Sequence, residues 1–150
     1  MSENEKGNLK LIGKNPKDLK VISAYSQDSV VSIKDIVFLK QNRIFIMIID
    51  RFMWEDVEKG VFRKNKRIRT VLKFDNVLHV RSKNINQMKG DRFLDFLAIE
   101  SKEMPDKNYE MNLIFSGDVI IKIIAEAIEV KLDDQGTPWE SKNKPKHDDL

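Results

Sequence analysis

Two runs rich in β-branched and aromatic residues, Val30 to Leu39 and Ile44 to Met53, stand only four residues apart and leave this chain few ways to fold. With Gln41 and Asn42 as the turn, they predict an antiparallel hairpin in which Leu39 faces Ile44 and Phe38 faces Phe45. In the second run Ile44, Ile46 and Ile48 share one face, while Phe45, Met47 and Ile49 share the other. A strand apolar on both faces belongs at the centre of a sheet, with a layer on each side.

Around this hairpin the sequence supplies further elements. Leu9 to Ile12 reads as a short edge strand after a polar N-terminus over residues 1–8. Asn15-Pro16-Lys17-Asp18 has the order of a helix start, with Asn15 as N-cap and Pro16 in the first turn. Leu19, Ile22 and Tyr25 follow at helical spacing, which predicts an amphipathic helix from Pro16 to Ser26. Glu55 to Lys66 is a charged loop. Arg67 to Phe74 then alternates Ile68, Thr70, Leu72 and Phe74 with Arg67, Arg69, Val71 and Lys73, the period of a half-exposed strand. Asp75-Asn76 is expected to turn this strand back on Val77 to Ser82, placing Thr70 opposite Arg81 and Leu72 opposite His79.

After a basic loop from Asn84 to Arg92, strands are expected at Phe93 to Lys102, Glu110 to Ser116 and Val119 to Ile124, the last two joined by a tight turn at Gly117. Ile124, Ile128 and Leu132 lie four apart, and Gly136 and Pro138 follow, so Ala125 to Gln135 reads as a short C-terminal helix, with a prolonged strand as its rival. Trp139 is expected to clip the core shut, and residues 141–150 to form a polar tail. These elements make one domain over residues 9–140. Its expected class is β-rich α+β: an antiparallel sandwich or split barrel of about seven strands, with a strand and helix added in front and a short helix behind. An open antiparallel α+β sandwich is the alternative.

Charge is distributed unevenly over this frame. All seven arginines fall between Arg43 and Arg92, and the net charge is +2 over residues 1–50, +7 over 51–92 and −6 over 93–150. Arg63, Arg67, Arg69, Arg81 and Arg92 are candidates for one basic patch, whose planar guanidinium groups suit phosphates or acidic protein surfaces. The acidic last third offers the opposite outcome, neutralisation within the fold. Arg51 and Trp54, where a strand dense in large side chains meets the charged loop, are candidate interface anchors, set against a purely structural role for Trp54 with Phe52.

Catalytic signals are sparse. His79 alternates with Val77 and Arg81 on a strand, and Ser116-Gly117-Asp118 is a hairpin turn rather than a phosphate cradle. Cysteine is absent, which removes thiolate chemistry and disulfides and fits a reducing, cytoplasmic setting. No apolar run reaches the ~18 residues of a membrane span. No metal or cofactor is expected. An enzyme with a carboxylate-centred site is the least favoured class.

The order of a hairpin, further strands and a closing helix resembles pleckstrin-homology-like domains, a likeness that implies peptide or lipid-headgroup binding. Only Lys40 and Arg43 flank the first turn, so it implies peptide addition at a sheet edge before phosphoinositide binding. Leu9-Lys10-Leu11-Ile12, Asp18-Leu19-Lys20-Val21-Ile22-Ser23-Ala24, Gln27-Asp28-Ser29-Val30-Val31, Arg51-Phe52-Met53-Trp54-Glu55, Leu97-Ala98-Ile99-Glu100 and Pro138-Trp139 also resemble a bacterial family catalogued as a domain of unknown function. That resemblance implies no activity. The expected function is a non-catalytic adaptor that engages a protein through a basic surface or a free sheet edge, with nucleic acid, before lipid, as the alternative ligand.

Overall fold

Asn15 starts helix α1 (Pro16–Ser26) as its side chain predicts: its Oδ1 accepts the Asp18 backbone N–H at 2.8 Å, and Pro16 opens the helical residues. The computed structural model describes residues 9–55, 66–85 and 92–140. Helix α1 turns Leu19 and Ile22 into the core, and Ser23 Oγ accepts the Ile99 backbone N–H at 3.0 Å. Asn15→Ala is expected to cost about 1 kcal/mol, the usual value of such a cap, read from chemical denaturation with an unchanged slope against denaturant.

Among the described residues nine antiparallel strands accompany it: β1 (Lys10–Gly13), β2 (Val30–Leu39), β3 (Ile44–Phe52), β4 (Lys66–Phe74), β5 (Val77–Lys83), β6 (Phe93–Glu103), β7 (Tyr109–Phe115), β8 (Val119–Ala125) and β9 (Val130–Glu140). They form one sheet in the order β1-β9-β4-β3-β2-β6-β7-β8-β5. The class is β-rich α+β, and among the described residues β2 to β9 make eight strands where about seven were expected behind the added strand β1. The sheet folds over so that both halves feed a single core. In one half Met47, Leu72 and Leu132 lie in a cross-strand row with Leu11, and in the other Leu113 lies opposite Ile121.

The β2–β3 hairpin has the expected register, Leu39 opposite Ile44 and Phe38 opposite Phe45. Its tip is a short 3-10 turn, Lys40–Asn42, closed by Arg43 in the left-handed region at φ 59°. β3 is central, but it is not covered on both faces: Phe45, Met47 and Ile49 are buried, whereas Ile44, Ile46 and Ile48 are only half-buried. The helix explains the difference, because Leu19 and Ile22 enter the same core as Phe45 instead of forming a second layer.

Three further expectations fail for traceable reasons. β4 and β5 do not pair. β4 lies between β3 and β9, and β5 pairs with β8, so Thr70 is opposite Ile49 and Asp134, Arg81 is opposite Lys122, and His79 is opposite Ile124. The Asp75-Asn76 turn is a corner whose backbone groups serve other elements: Asp75 N donates to Glu129 O, Glu126 N to Asn76 O, and Val77 N to Arg43 O. No helix follows Ala125 among the described residues. Residues 130–140 are strand β9, held on one side by β4 and on the other by β1. Trp139 does not close the core; it lies on β9 opposite Arg67 and is 41% exposed.

Candidate functional site

The arginines among the described residues fall in both halves of the sheet. Arg51 is fully buried on the core face of β3, a position that alternation assigns with Phe45, Met47 and Ile49. Its Nε and Nη2 donate to Asp134 Oδ1 and Oδ2 at 2.8 and 2.7 Å, and Nη1 and Nη2 donate to Glu55 Oε1 and Oε2 at 3.0 and 2.7 Å. Burial opposes the charge, but the hydrogen bonds and charges of Asp134 and Glu55 more than offset it and raise the Arg51 pKa. Asp134 also accepts from Thr70 Oγ1 at 2.8 Å and from Leu9 N at 2.9 Å, while its own N donates to Leu9 O. This closed network ties β1, β3, β4 and β9 together, and the Tyr25 ring caps the guanidinium at 5.8 Å.

Arg67 and Trp54 hold the connection between α1 and β2. Arg67 Nη1 donates to the carbonyls of Asp28 and Asp50 at 3.1 and 3.0 Å, and its guanidinium stands 5.8 Å from the Phe52 ring centre. Burial pushes its pKa down from the ordinary arginine value. Trp54 Nε1 donates to Gln27 O at 2.9 Å and meets Phe52 edge to face. Arg69 pairs with Asp50 at 3.2 Å, and Arg43 pairs with Glu126 at 2.9 Å, both near the surface. Arg63 lies outside the described residues. Arg81 on β5 and Arg92 before β6 are exposed and have no ion pair or side-chain hydrogen bond among the described residues. Arg51, Arg67 and Arg69 are thus neighbours in one half of the sheet, and Arg81 belongs to the other.

The concave feature nearest the expected sheet edge is built by a fault in β2. Val30 and Val31 pair with Asp50 and Ile49, but the ladder resumes only at Ile36 with Met47, so four residues, 32–35, stand against the single residue Ile48. Such an insertion bends a strand and interrupts its pairing. On its other side β2 pairs with β6 only from Val30 to Ser32, and Ile33 N makes a last bond to Arg92 O. Beyond that point β2 has no partner on this side among the described residues. β5, at the end of the sheet, likewise pairs on one side only.

These two incomplete strands border one groove of about 460 Å³. Ile36 and Phe38 of β2 face Val80 of β5 across it, Phe45 and Ile121 form the floor, and Lys34 and Ser82 are the polar residues of its lining. The Val77–Arg43 bond ties the strands at the hairpin tip, and the Ile33–Arg92 bond lies where β2 leaves β6. None of these groove residues stood out in the sequence, since alternation marks Phe38 or Val80 as core without showing that the ladder beside it is incomplete. The bend is the missing signal, and Ser32, Lys34 and Asp35 within an apolar strand are its only local trace.

Residues 9–147 match the family described as protein of unknown function (DUF2948), and the chain belongs to that family. No curated protein and no solved structure matches it.

Proposed function

We propose that this family member is a bacterial, cytoplasmic binding module that takes an extended peptide segment of a partner protein into the groove between β2 and β5. The observation that carries the reading is the pair of half-paired strands bordering one apolar groove. Unpaired backbone N–H and C=O groups accept a strand from another chain, and flanking pockets select its alternate side chains. The groove volume lies within the roughly 300–1,000 Å³ of ordinary ligand sites. Its chemistry calls for a peptide with apolar residues at alternate positions and an acidic residue to meet Lys34. This mode is the one the pleckstrin-homology-like resemblance implies, and it needs no catalytic group.

Nucleic acid receives less support, because Arg43, Arg51, Arg67 and Arg69 each bond a partner of the same chain. No helix among the described residues is long and apolar enough to cross a membrane.

Selection from a displayed decapeptide library is expected to yield extended apolar sequences whose binding slows amide exchange at Ile36–Phe38 and Val80–Ser82. N-methylation at alternate peptide positions removes ladder donors and is expected to weaken binding tenfold or more, since each lost bond costs about 1 kcal/mol. Val80→Glu is expected to abolish it while the far half of the sheet keeps its spectrum. Binding indifferent to N-methylation would exclude strand addition.

A further inference from the structure

The outer face of β5, β8, β7 and β6 carries a second concavity, which shares only Ser82 of β5 with the lining of the β2–β5 groove. Its middle row runs straight across the four strands: Arg81 lies opposite Lys122, Lys122 opposite Asn112, and Asn112 opposite Glu100. Lys83 sits two residues beyond Arg81 on the same side of β5, so three cations line one flank, Glu100 lines the other, and Glu110 stands on β7 between them. Ile114 and Ile120 form the apolar part of a trough of about 480 Å³. Directly opposed like charges destabilise a sheet. Here Lys122 has Glu110 at 3.8 Å for partial relief, and Arg81 has no partner among the described residues.

The floor is polarised in the same sense. Asn112 Nδ2 is committed to Glu110 Oε2 at 2.9 Å, which leaves Asn112 Oδ1 buried without a donor. A buried acceptor in that state loses the hydrogen bond that water would give it, a cost of about the size of the bond itself. The trough therefore lacks two things at a fixed separation: an anion between Arg81, Lys83 and Lys122, and a donor at Asn112 Oδ1 and Glu100. Strands lie about 4.8 Å apart, so two strand spacings put these points about 10 Å from each other.

We infer that this trough binds a small dipolar molecule with a free carboxylate and a free ammonium group about 10 Å apart, a zwitterionic tripeptide being the natural class. Three extended residues span about 10 Å. The carboxylate meets the guanidinium of Arg81 with Lys122 and Lys83, the ammonium donates to Asn112 Oδ1 and Glu100, and the body of the peptide lies over Ile114 and Ile120.

The test uses trialanine with free ends, its N-acetylated form and its C-terminal amide, titrated against the full-length protein by calorimetry and amide NMR. Free trialanine is expected to shift resonances of β5, β7 and β8. Either cap removes one charged contact and is expected to weaken binding about tenfold or more. Arg81→Gln is expected to weaken trialanine and the N-acetylated form, and Glu100→Gln to weaken trialanine and the amide. Both side chains are exposed, so these variants keep the fold. Equal binding of all three peptides, no binding of trialanine, or shifts confined to the β2–β5 groove would each overturn the inference. The last result would leave the strand-addition reading untouched.

Discussion

Arg51→Met is expected to lower the unfolding free energy by about 3–5 kcal/mol, the usual cost of removing one partner from a buried ion pair. The Asp134 side chain is fully inaccessible to water, and its Oδ2 would be left with only the Leu9 N–H. Glu55, at 18% side-chain exposure, has a path to solvent and suffers less. For a chain of this size the loss corresponds to a fall in Tm on the order of 10 °C. Arg51→Lys is expected to fall between wild type and methionine, because an ammonium group cannot reproduce two bidentate contacts. The decisive comparison is the double variant Arg51→Met with Asp134→Leu. Removing both charges together is expected to recover much of the stability, as burying an ion pair gains little over packing apolar groups in its place. Denaturant unfolding of the wild type, Arg51→Met, Asp134→Leu and the double variant measures the coupling, and an Arg51→Met loss under about 1 kcal/mol would show that the network contributes no net constraint.

The network also explains why the arginine cluster of the sequence does not lie on one surface among the described residues. Arg51 lies on the inward side of an alternation legible in Phe45, Met47 and Ile49, but its acid partner lies 83 residues away on a segment whose spacing fits a helix. Residues 128 and 132 satisfy both a four-residue period and a two-residue one. Pairing of β9 with β4 and β1 on its two sides decides between them, and that information is not local. Once Val130 and Leu132 point inward, Asp134 must as well, and Thr70 and Arg51 are there to receive it.

Local chemistry succeeds where it is self-sufficient. The helix limits follow from Asn15, Pro16 and the spacing of Leu19 and Ile22, and the β2–β3 register follows from a four-residue connection. It fails at Asp75-Asn76, where a hairpin and a corner need the same turn residues and only distant bonds to Arg43 and Glu129 separate them. The proposed groove is a product of those same distant choices, since it exists because β5 turns away from β4 and because β2 bends away from β6.

Phe96→Ala tests how firmly that bend is held. Phe96 is fully buried, opposes Phe115, and meets its ring edge to face at 5.5 Å. It stands where β6 stops pairing with β2 and begins to pair with β7, and its N–H and carbonyl bond Ser29 O and Asp28 N. Its removal opens a void at the junction of the two halves of the sheet, with an expected cost of about 3–5 kcal/mol. Phe45 is of equal size and nearly as buried, and it packs edge to face on Phe74, yet it forms the floor of the open groove. A space that connects with solvent does not persist as an empty cavity, and the cost of truncation grows by about 24 cal/mol per Å³ of void that remains. Phe45→Ala is therefore expected to be the milder change by about 1 kcal/mol or more. Amide exchange separates the two further: Phe96→Ala should speed exchange at Val30–Ser32, where β2 and β6 meet, and Phe45→Ala should act on the hairpin tip. Equal losses from the two variants would mean that the groove floor is as tightly closed as the core, which would remove the space the peptide needs.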